Sequence, residues 1–266
     1  MKIISINNKA DLLVHEKSIE QLFLECFGDR LSLDLWRWAY ISNPNGEPIV
    51  SLCFDEDLLV GHYAAIPMPL SRRSEILNSY LSMTTMVAAS HRKHGVFVKL
   101  AEDTYRNALN RNVDIVMGFP NEMSTPGFRK RLNWDLPESD VVVSLSKDEL
   151  LKASEKFKLV NDDSYMFDLS NDRIRNWRLS KPSVEYVWND GLAYKIFEDQ
   201  IDLVYLKKID SLNYLPENKK INLLVSSEMK DLMKYRKFNY QFGGISINKV
   251  FFPETINRQM ALSDVF

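Results

Sequence analysis

The residues best suited to chemistry form a basic turn that ends in glycine, Ser90-His91-Arg92-Lys93-His94-Gly95. The turn follows Leu81–Ala89, an apolar run typical of a buried strand, and precedes Gly95–Arg111, whose apolar residues recur at helical spacing. A helix N-terminus offers unpaired N–H groups and the positive end of the helix dipole, so such a turn is suited to bind phosphate. Arg92 and Lys93 would add positive charge at the rim. The alternative is an ordinary solvent-exposed connection, because short connections of this kind are frequent.

A second group of polar residues follows the next strand of the predicted order. Val113–Phe119 is a β-branched run that predicts a strand, and Asn121, Glu122 and Ser124 come after it. A short predicted helix, Ser124–Leu132, comes next. The chain order is therefore strand, basic turn, helix, strand, polar break and short helix.

This order resembles the GNAT superfamily of acyl-CoA-dependent N-acyltransferases. Arg92-Lys93-His94-Gly95-Val96-Phe97 is similar to that family's pyrophosphate-binding motif, R/Q-x-x-G-x-G/A, and Phe128–Trp134 is similar to its Y-x-K-x-G-F segment. The resemblance covers residues 10–145. Two positions depart from the pattern. Phe97 replaces a glycine or alanine and would crowd the phosphates, and Phe128 replaces a tyrosine that protonates the departing thiolate in many members.

The resemblance implies direct transfer of an acyl group from acyl-CoA to an amine, with no metal and no covalent enzyme intermediate. The segment Gly118-Phe119-Pro120-Asn121 further resembles a signature of acyltransferases that act on dTDP-linked 3-amino-3,6-dideoxyhexoses. The implied acceptor is a small amine, specifically a dTDP- or UDP-linked amino sugar used in surface polysaccharide synthesis. The implied partners are thus small molecules, and a homodimer remains open.

The same resemblance assigns residues to the coenzyme. Backbone amides near the end of the first strand would hold the pantetheine arm and polarise the thioester carbonyl. The basic turn would hold the pyrophosphate, and a phenyl ring would pack against pantetheine. The residues assigned to acyl-CoA are Met86, Val87, Arg92, Lys93, His94, Gly95, Val96, Phe97 and Phe128.

Amine attack requires a group that removes a proton, because an ammonium ion has no lone pair. Glu122 is a candidate base, and Asn121 could orient the amine or a water molecule. Ser124 could pass a proton to sulfur, and His62 in a predicted hairpin is another candidate base. The alternatives are a solvated loop carboxylate for Glu122, a helix N-cap for Ser124 and a half-buried, backbone-bonded histidine for His62.

Candidate acceptor-binding residues crowd one predicted short helix. Trp36 and Tyr40 share one helical face, where a ring could stack on a sugar or nucleobase, and Arg37 could pair with a diphosphate. Most of the aromatic rings in this segment are expected to lie in the core instead, since tryptophan is largely buried in folded proteins.

The composition excludes several classes of protein. A net charge of −2 over 266 residues gives no general attraction to a polyanion, so nucleic-acid binding is not expected. The two cysteines, Cys26 and Cys53, form no CxxC or Cys/His cluster, which argues against structural zinc and disulfides. No signal-peptide pattern and no run of 18 apolar residues occurs, so a cytoplasmic protein without a membrane span is predicted.

The predicted fold is mixed α/β (α+β). The resemblance implies a mostly antiparallel, twisted sheet with a splayed parallel strand pair in residues 1–145, the GNAT-like domain that binds acyl-CoA. Residues 146–266 would form a second, smaller α+β half. Trp38 before Pro44 and Trp177 before Pro182 form a weak internal echo, which fits a degenerate repeat. The functional alternatives are a non-catalytic module that binds or senses acyl-CoA, and a tandem-GNAT acyltransferase acting on a protein or tRNA-linked group.

Overall fold

The computed structural model describes residues 1–156, 159, 163–250, 253–263 and 266. The helices are α1 (Lys9–Val14), α2 (Glu16–Phe27), α3 (Leu33–Tyr40), α4 (Val96–Asn110), α5 (Thr125–Arg131), α6 (Lys147–Lys156) and α7 (Asp172–Arg178). Short 3-10 helices cover Ala89–His94, Ile209–Tyr214, Lys230–Tyr235, Pro253–Thr255 and Met260–Leu262.

Most strands belong to one of two six-stranded sheets. The strands are β1 (Lys2–Ile6), β2 (Ile49–Asp55), β3 (Leu58–Pro67), β4 (Leu70–Arg72), β5 (Glu75–Leu77), β6 (Ser79–Val87), β7 (Ile115–Gly118), β8 (Asp140–Leu145), β9 (Tyr186–Asn189), β10 (Leu192–Phe197), β11 (Gln200–Leu206), β12 (Lys220–Val225), β13 (Arg236–Tyr240) and β14 (Gly243–Ser246).

The first sheet has the order β1-β2-β3-β6-β7-β14 and is antiparallel except for the parallel pair β6 and β7. Its central strand β3 is apolar along almost its whole length and is buried on both faces. Helices α4 and α2 both contact β3, as expected for a strand that reads as a continuous hydrophobic run. The predicted mixed sheet with a parallel strand pair is therefore confirmed.

The second sheet has the order β13-β8-β12-β11-β10-β9, and its parallel pair is β11 and β12. The chain crosses between the sheets twice. Strand β8, which lies before the predicted division at residue 145, belongs to the second sheet, and β14 from the C-terminal half completes the first. The division into domains 1–145 and 146–266 stays a prediction. Each sheet contains one strand from the other part of the chain.

One hydrophobic core joins the two halves. It runs from the sheet β1–β7 and helices α2 to α4 to apolar residues of the C-terminal half, including Phe167, Trp177 and Tyr205. A separate cluster fills the other face of the second sheet. Within the described residues, no helix has both the length and the apolar character needed to cross a bilayer.

Candidate active site

The parallel strands β6 and β7 pair over only three positions, Ser79–Leu81 with Ile115–Met117. Beyond Leu81 strand β6 continues to Val87, and an extra residue bulges it opposite β3. Thr84 in this bulge has a φ of 53°, a conformation that β-branched residues rarely adopt. The two strands therefore separate and leave a cleft between them.

His62 of the neighbouring strand β3 hydrogen-bonds to the backbone of the bulge. Its Nδ1 lies 2.7 Å from the Thr84 carbonyl oxygen and must carry the proton, because a carbonyl only accepts. The ring is completely buried, and this burial lowers the pKa of His62 to about 4. His62 does not line the cleft, so the structure gives it the backbone-bonded, buried position rather than contact with a substrate.

The cleft has a volume of about 730 Å³. Its lining comes from Phe27, Ser82–Thr85, Gly118–Glu122, Ser124–Pro126, Phe128, Trp134, Ser139 and Phe238–Gln241. The structure thus brings the predicted residues Asn121, Glu122, Ser124 and Phe128 to one cavity. Met86 and Val87 do not line it, and the exposed stretch of β6 is Ser82–Thr85 instead, because the strands already part after Leu81.

An aromatic network that sequence reasoning missed supports the floor of the cleft. Trp134 Nε1 donates to the Tyr105 hydroxyl at 2.7 Å, and that hydroxyl lies 2.9 Å from the Tyr63 hydroxyl. Burial raises the pKa of Tyr63 to about 12 and that of Tyr105 well above its ordinary value. Both phenols therefore stay neutral. The tyrosines come from β3 and α4, so only folding reveals that they meet.

Phe97 belongs to this aromatic cluster. Its ring lies 5.6 Å from Phe128 and 6.3 Å from Tyr63, between ring centroids. The side chain therefore points under the cleft, away from the turn before α4. Phe97 is half-buried and packs against the hydrophobic core, so its ring is placed with this cluster, whereas the sequence suggested that it would crowd the turn.

The basic turn forms a 3-10 helix, Ala89–His94, and Gly95 then begins α4 with a φ of 70°. A Cβ at Gly95 would meet no atom within 4 Å, so open space lies before the helix. The first helical bond runs from the Lys99 N–H to the Gly95 carbonyl oxygen. The backbone N–H groups of Val96 to Val98 therefore have no hydrogen-bond acceptor within the helix.

The basic side chains around this helix start are mostly exposed. Arg92, Lys93 and His94 are exposed, and Arg92 Nε donates to the Val87 carbonyl oxygen at 3.2 Å. His91 lies 3.2 Å from an oxygen of Asp55. A 15-residue helix with a basic, open N-terminus has the features of an anion-binding site.

The polar residues after β7 begin α5. Asn121 Oδ1 accepts from the Ser124 N–H at 2.9 Å, and the Asn121 carbonyl accepts from the Ser124 hydroxyl at 3.2 Å. The Ser124 side chain makes no capping hydrogen bond. Asn121 instead makes the side-chain hydrogen bond that was expected of Ser124 at the start of the helix. Glu122 is exposed at the cleft wall, where its carboxylate is accessible to a ligand.

The three predicted acceptor-binding residues lie elsewhere. Trp36 and Tyr40 are buried in the core, with exposures of 2% and 1%. Arg37 forms a bidentate ion pair with Glu16, at 2.8 and 2.9 Å. None of the three lines the cleft, because the side chains that share the helical face of Trp36 turn toward the sheet and α2.

The far wall of the cleft comes from β13, which the sequence did not link to the site. Phe238 and Tyr240 line it, and Tyr240 stacks on Phe119 with ring centroids 4.9 Å apart. Phe27 of α2 faces the same space. Glu122 is the sole charged side chain among the described residues that line the cleft. Among the described residues, no group of three or more His, Cys, Asp or Glu residues is placed to hold a metal ion.

The cleft and the basic helix N-terminus thus belong to an α/β domain whose mixed sheet opens at one parallel strand pair. The acetyltransferase (GNAT) domain model matches residues 15–136, a little under half of the chain. This part of the chain is similar to a GNAT acetyltransferase domain, and it includes the α4 N-terminus and most of the residues that line the cleft.

Solved structures resemble the chain over nearly its whole length. A GCN5-related N-acetyltransferase from Kribbella flavida matches with a TM-score of 0.62 and 9% identity, covering 93% of this chain and 72% of that one. A probable N-acyltransferase of Enterococcus faecalis V583 gives 0.64 and 9%, covering 93% and 73%. A GCN5-related N-acetyltransferase from Anabaena variabilis ATCC 29413 gives 0.59 and 11%, also covering 93% and 73%. At identities of 9–11%, these matches show similarity of fold alone. No curated protein matches this sequence.

Proposed function

We propose that the protein is an acyl-CoA-dependent N-acyltransferase that moves an acyl group directly to the amine of a small acceptor. The observation that carries this proposal is that strand β6, whose residues Ser82–Thr85 line the cleft, leads into the basic turn and the open N-terminus of α4. A diphosphate at that terminus would let the rest of the coenzyme extend between β6 and β7.

Described residues are available to bind the diphosphate and the pantetheine arm of the coenzyme. The free N–H groups from Val96 to Val98 and the side chains of Arg92 and Lys93 would bind the diphosphate. The backbone of Ser82–Thr85 would bind the pantetheine amides, since this stretch has no partner strand on the side of β7. Phe128 would pack against the pantetheine arm.

In the reaction, the amine nitrogen attacks the thioester carbonyl carbon, the carbon–sulfur bond breaks, and an amide and free CoA remain. Glu122 would accept the proton that the nitrogen loses, because it is the charged group in the described lining. Phe128 has no proton to give to the departing thiolate, so that proton comes from water or another lining group.

For the acceptor we retain the finer hypothesis of a dTDP- or UDP-linked amino sugar. The rings of Phe238 and Tyr240 offer faces on which a sugar or base could stack. No lysine or arginine belongs to the described lining, so the diphosphate of such an acceptor would have to lie outside the cleft. This requirement makes simple amines necessary members of any acceptor panel.

The test measures free thiol released from acetyl-CoA with a panel of primary amines, amino sugars and dTDP- and UDP-linked amino sugars. Release that depends on an amine supports the proposal, and the acceptor that works best defines the finer substrate. The second candidate is a non-catalytic module that binds acyl-CoA, which the phenylalanine at position 128 favours. Tight CoA binding without turnover of any amine would establish that candidate, and the absence of both binding and turnover would refute both functions.

A further inference from the structure

The second sheet repeats the geometry that opens the cleft in the first. Its parallel strands β11 and β12 also pair over three positions, Gln200–Asp202 with Lys220–Asn222, and then stop pairing. Strand β11 carries an extra residue, Val204, opposite β10, just as β6 carries one opposite β3. The C-terminal half therefore contains a second groove, between β11 and β12, that corresponds to the first cleft.

The chain itself fills this second groove with residues 257–263, here called the C-terminal segment. Gln259 Nε2 donates to the Leu206 carbonyl oxygen at 2.9 Å, and Gln259 Oε1 accepts from the Leu206 N–H at 2.6 Å. Met260 beside it is completely buried. Between β11, β12 and the segment a cavity of about 40 Å³ remains, against about 730 Å³ for the first cleft. A separate cavity of about 510 Å³ lies beside Arg258 and the end of β12, and no residue of β11 lines it.

Leu206, which Gln259 contacts, occupies the position in the second sheet that Thr85 occupies in the first. Leu206 lies six residues beyond Gln200, where parallel pairing begins, and Thr85 lies six residues beyond Ser79, where it begins in the first sheet. Thr85 lines the first cleft. The Gln259 carboxamide, one donor and one acceptor on the edge of a strand, thus takes the place that an amide of pantetheine would take in the first cleft.

Strong interactions hold the C-terminal segment in place. Arg258 pairs with Asp140 of β8, with Nε and Oδ2 2.6 Å apart and the Asp140 side chain 3% exposed. Arg178 of α7, which is 1% exposed, donates to the carbonyl oxygens of Ala261 at 2.8 Å and Ser263 at 3.0 Å. A ligand could enter the second groove only by displacing buried, charge-assisted contacts.

In the described residues, the connection that follows β11 has no counterpart of the long helix that follows β6. In the first sheet, the connection from β6 to β7 contains the 15-residue helix α4 with its basic N-terminus. The connection from β11 to β12 contains a 3-10 helix, Ile209–Tyr214, whose first turn carries Asp210. A coenzyme diphosphate would find no long helix dipole there.

The C-terminal segment reaches the first cleft as well. The hydroxyls of Ser263 and Tyr240 are 2.6 Å apart, and the ring of Phe266 lies 5.2 Å from that of Tyr240. Tyr240 in turn stacks on Phe119 in the cleft wall. Ser263 itself does not line the cleft, so any effect it has on an acceptor passes through Tyr240.

We propose that the C-terminal segment is an internal ligand of a second, inactive acyl-CoA-type groove, and that from there it positions Tyr240 in the acceptor wall of the first cleft. This inference rests on the proposed function of the first cleft. The second half is then a support for the acceptor site and binds no coenzyme of its own.

The first experiment titrates the full chain and its Gly95→Asp variant with CoA in a calorimeter. The expected result is one CoA per wild-type chain and at least about tenfold weaker binding by the variant, whose new carboxylate repels the diphosphate. Two CoA per wild-type chain, or one CoA bound by Gly95→Asp with the wild-type affinity, would overturn the inference. No binding to the wild type would instead overturn the proposed function, and the second experiment would then decide the role of the segment.

The second experiment compares Ser263→Ala with the control variant Ser154→Ala. Ser154 lies in α6, donates to the Leu151 carbonyl oxygen at 2.7 Å and lines neither groove. Ser263→Ala should speed hydrogen exchange at the amides of Phe238–Tyr240, and Ser154→Ala should not. With the best amine from the panel, Ser263→Ala should raise the KM for the amine about 3- to 10-fold, the size of one lost hydrogen bond. The kcat and the KM for acetyl-CoA should stay unchanged. Unchanged exchange in β13, or equal changes in both KM values, would refute the positioning role.

Discussion

Trp38 and Trp177 exchange hydrogen bonds across the contact between the two halves. Trp38 Nε1 donates to the Trp177 carbonyl oxygen and Trp177 Nε1 donates to the Trp38 carbonyl oxygen, both at 2.8 Å. Their rings stack with centroids 5.1 Å apart and planes 14° from parallel. A contact about a two-fold axis is reciprocal in the same way. The degenerate repeat of the α3 and α7 segments stays a prediction.

Replacing either tryptophan with phenylalanine should destabilise the protein by about 2–4 kcal/mol. Each change removes one indole N–H that donates across the contact and opens a cavity. Trp38→Phe and Trp177→Phe together should cost less than the sum of the two, because the rings stack on each other. Urea unfolding of the two single variants and the double variant measures this coupling. Strict additivity would show that the two rings do not act as a pair.

The phosphate-binding role of the α4 N-terminus can be tested at Gly95 with two isosteric variants. Gly95→Asn and Gly95→Asp should each cost about 1 kcal/mol of stability, because both adopt a positive φ with modest strain. Only aspartate places a negative charge before the helix. CoA affinity should therefore fall at least about tenfold further in Gly95→Asp than in Gly95→Asn, since one charge contact is worth about 1.4 kcal/mol or more. Equal affinities would move the diphosphate away from this turn.

The proposed base can be tested by Glu122→Gln. Loss of a general base should lower kcat by about 10²- to 10⁴-fold with little change in the KM for acetyl-CoA. Glu138→Gln is the matched control, because Glu138 is also an exposed loop glutamate but does not line the cleft. Steady-state kinetics with the best amine give the comparison. A normal kcat for Glu122→Gln would assign the proton transfer to water or another group.

Buried His62 makes stability depend on pH. Burial lowers its pKa from 6.5 to about 4, so the unfolded chain takes up a proton before the folded chain does. The stabilisation is thus complete above about pH 6.5 and is lost as the pH falls toward 4. Between pH 7.5 and 5, His62 should account for about 2 kcal/mol of lost stability.

The variant His62→Gln isolates this contribution from those of the other titrating groups. Its amide can still donate to the Thr84 carbonyl oxygen but does not titrate. Chemical unfolding of both proteins at the two pH values should show the smaller loss for His62→Gln. An equal loss in both would mean that His62 does not control the acid sensitivity.

Several features of the site were predictable from sequence because they depend on neighbouring residues. The step from an apolar run through Arg92 and Gly95 into an amphipathic segment predicted the helix N-terminus that the structure contains. The polar break at Asn121 and Glu122 was correctly expected to follow a strand. The pattern could not show which face of the helix around Trp36 would be buried, and it missed the role of Phe97 in the core.

By itself the sequence determined the local elements and the basic turn at the start of α4, and the resemblance of its motifs implied the parallel strand pair. Hydrophobic periodicity, turn residues and charge act over a few neighbouring positions, so they can be read from the chain directly. Only the tertiary structure decided that β8 and β14 lie in opposite sheets, that β13 forms the far wall of the cleft, and that Gln259 occupies the second groove. The placement of the strands depends on contacts between residues about a hundred or more positions apart. The position of Gln259 depends on which of two similar grooves the segment fills. Local sequence patterns contain neither kind of information.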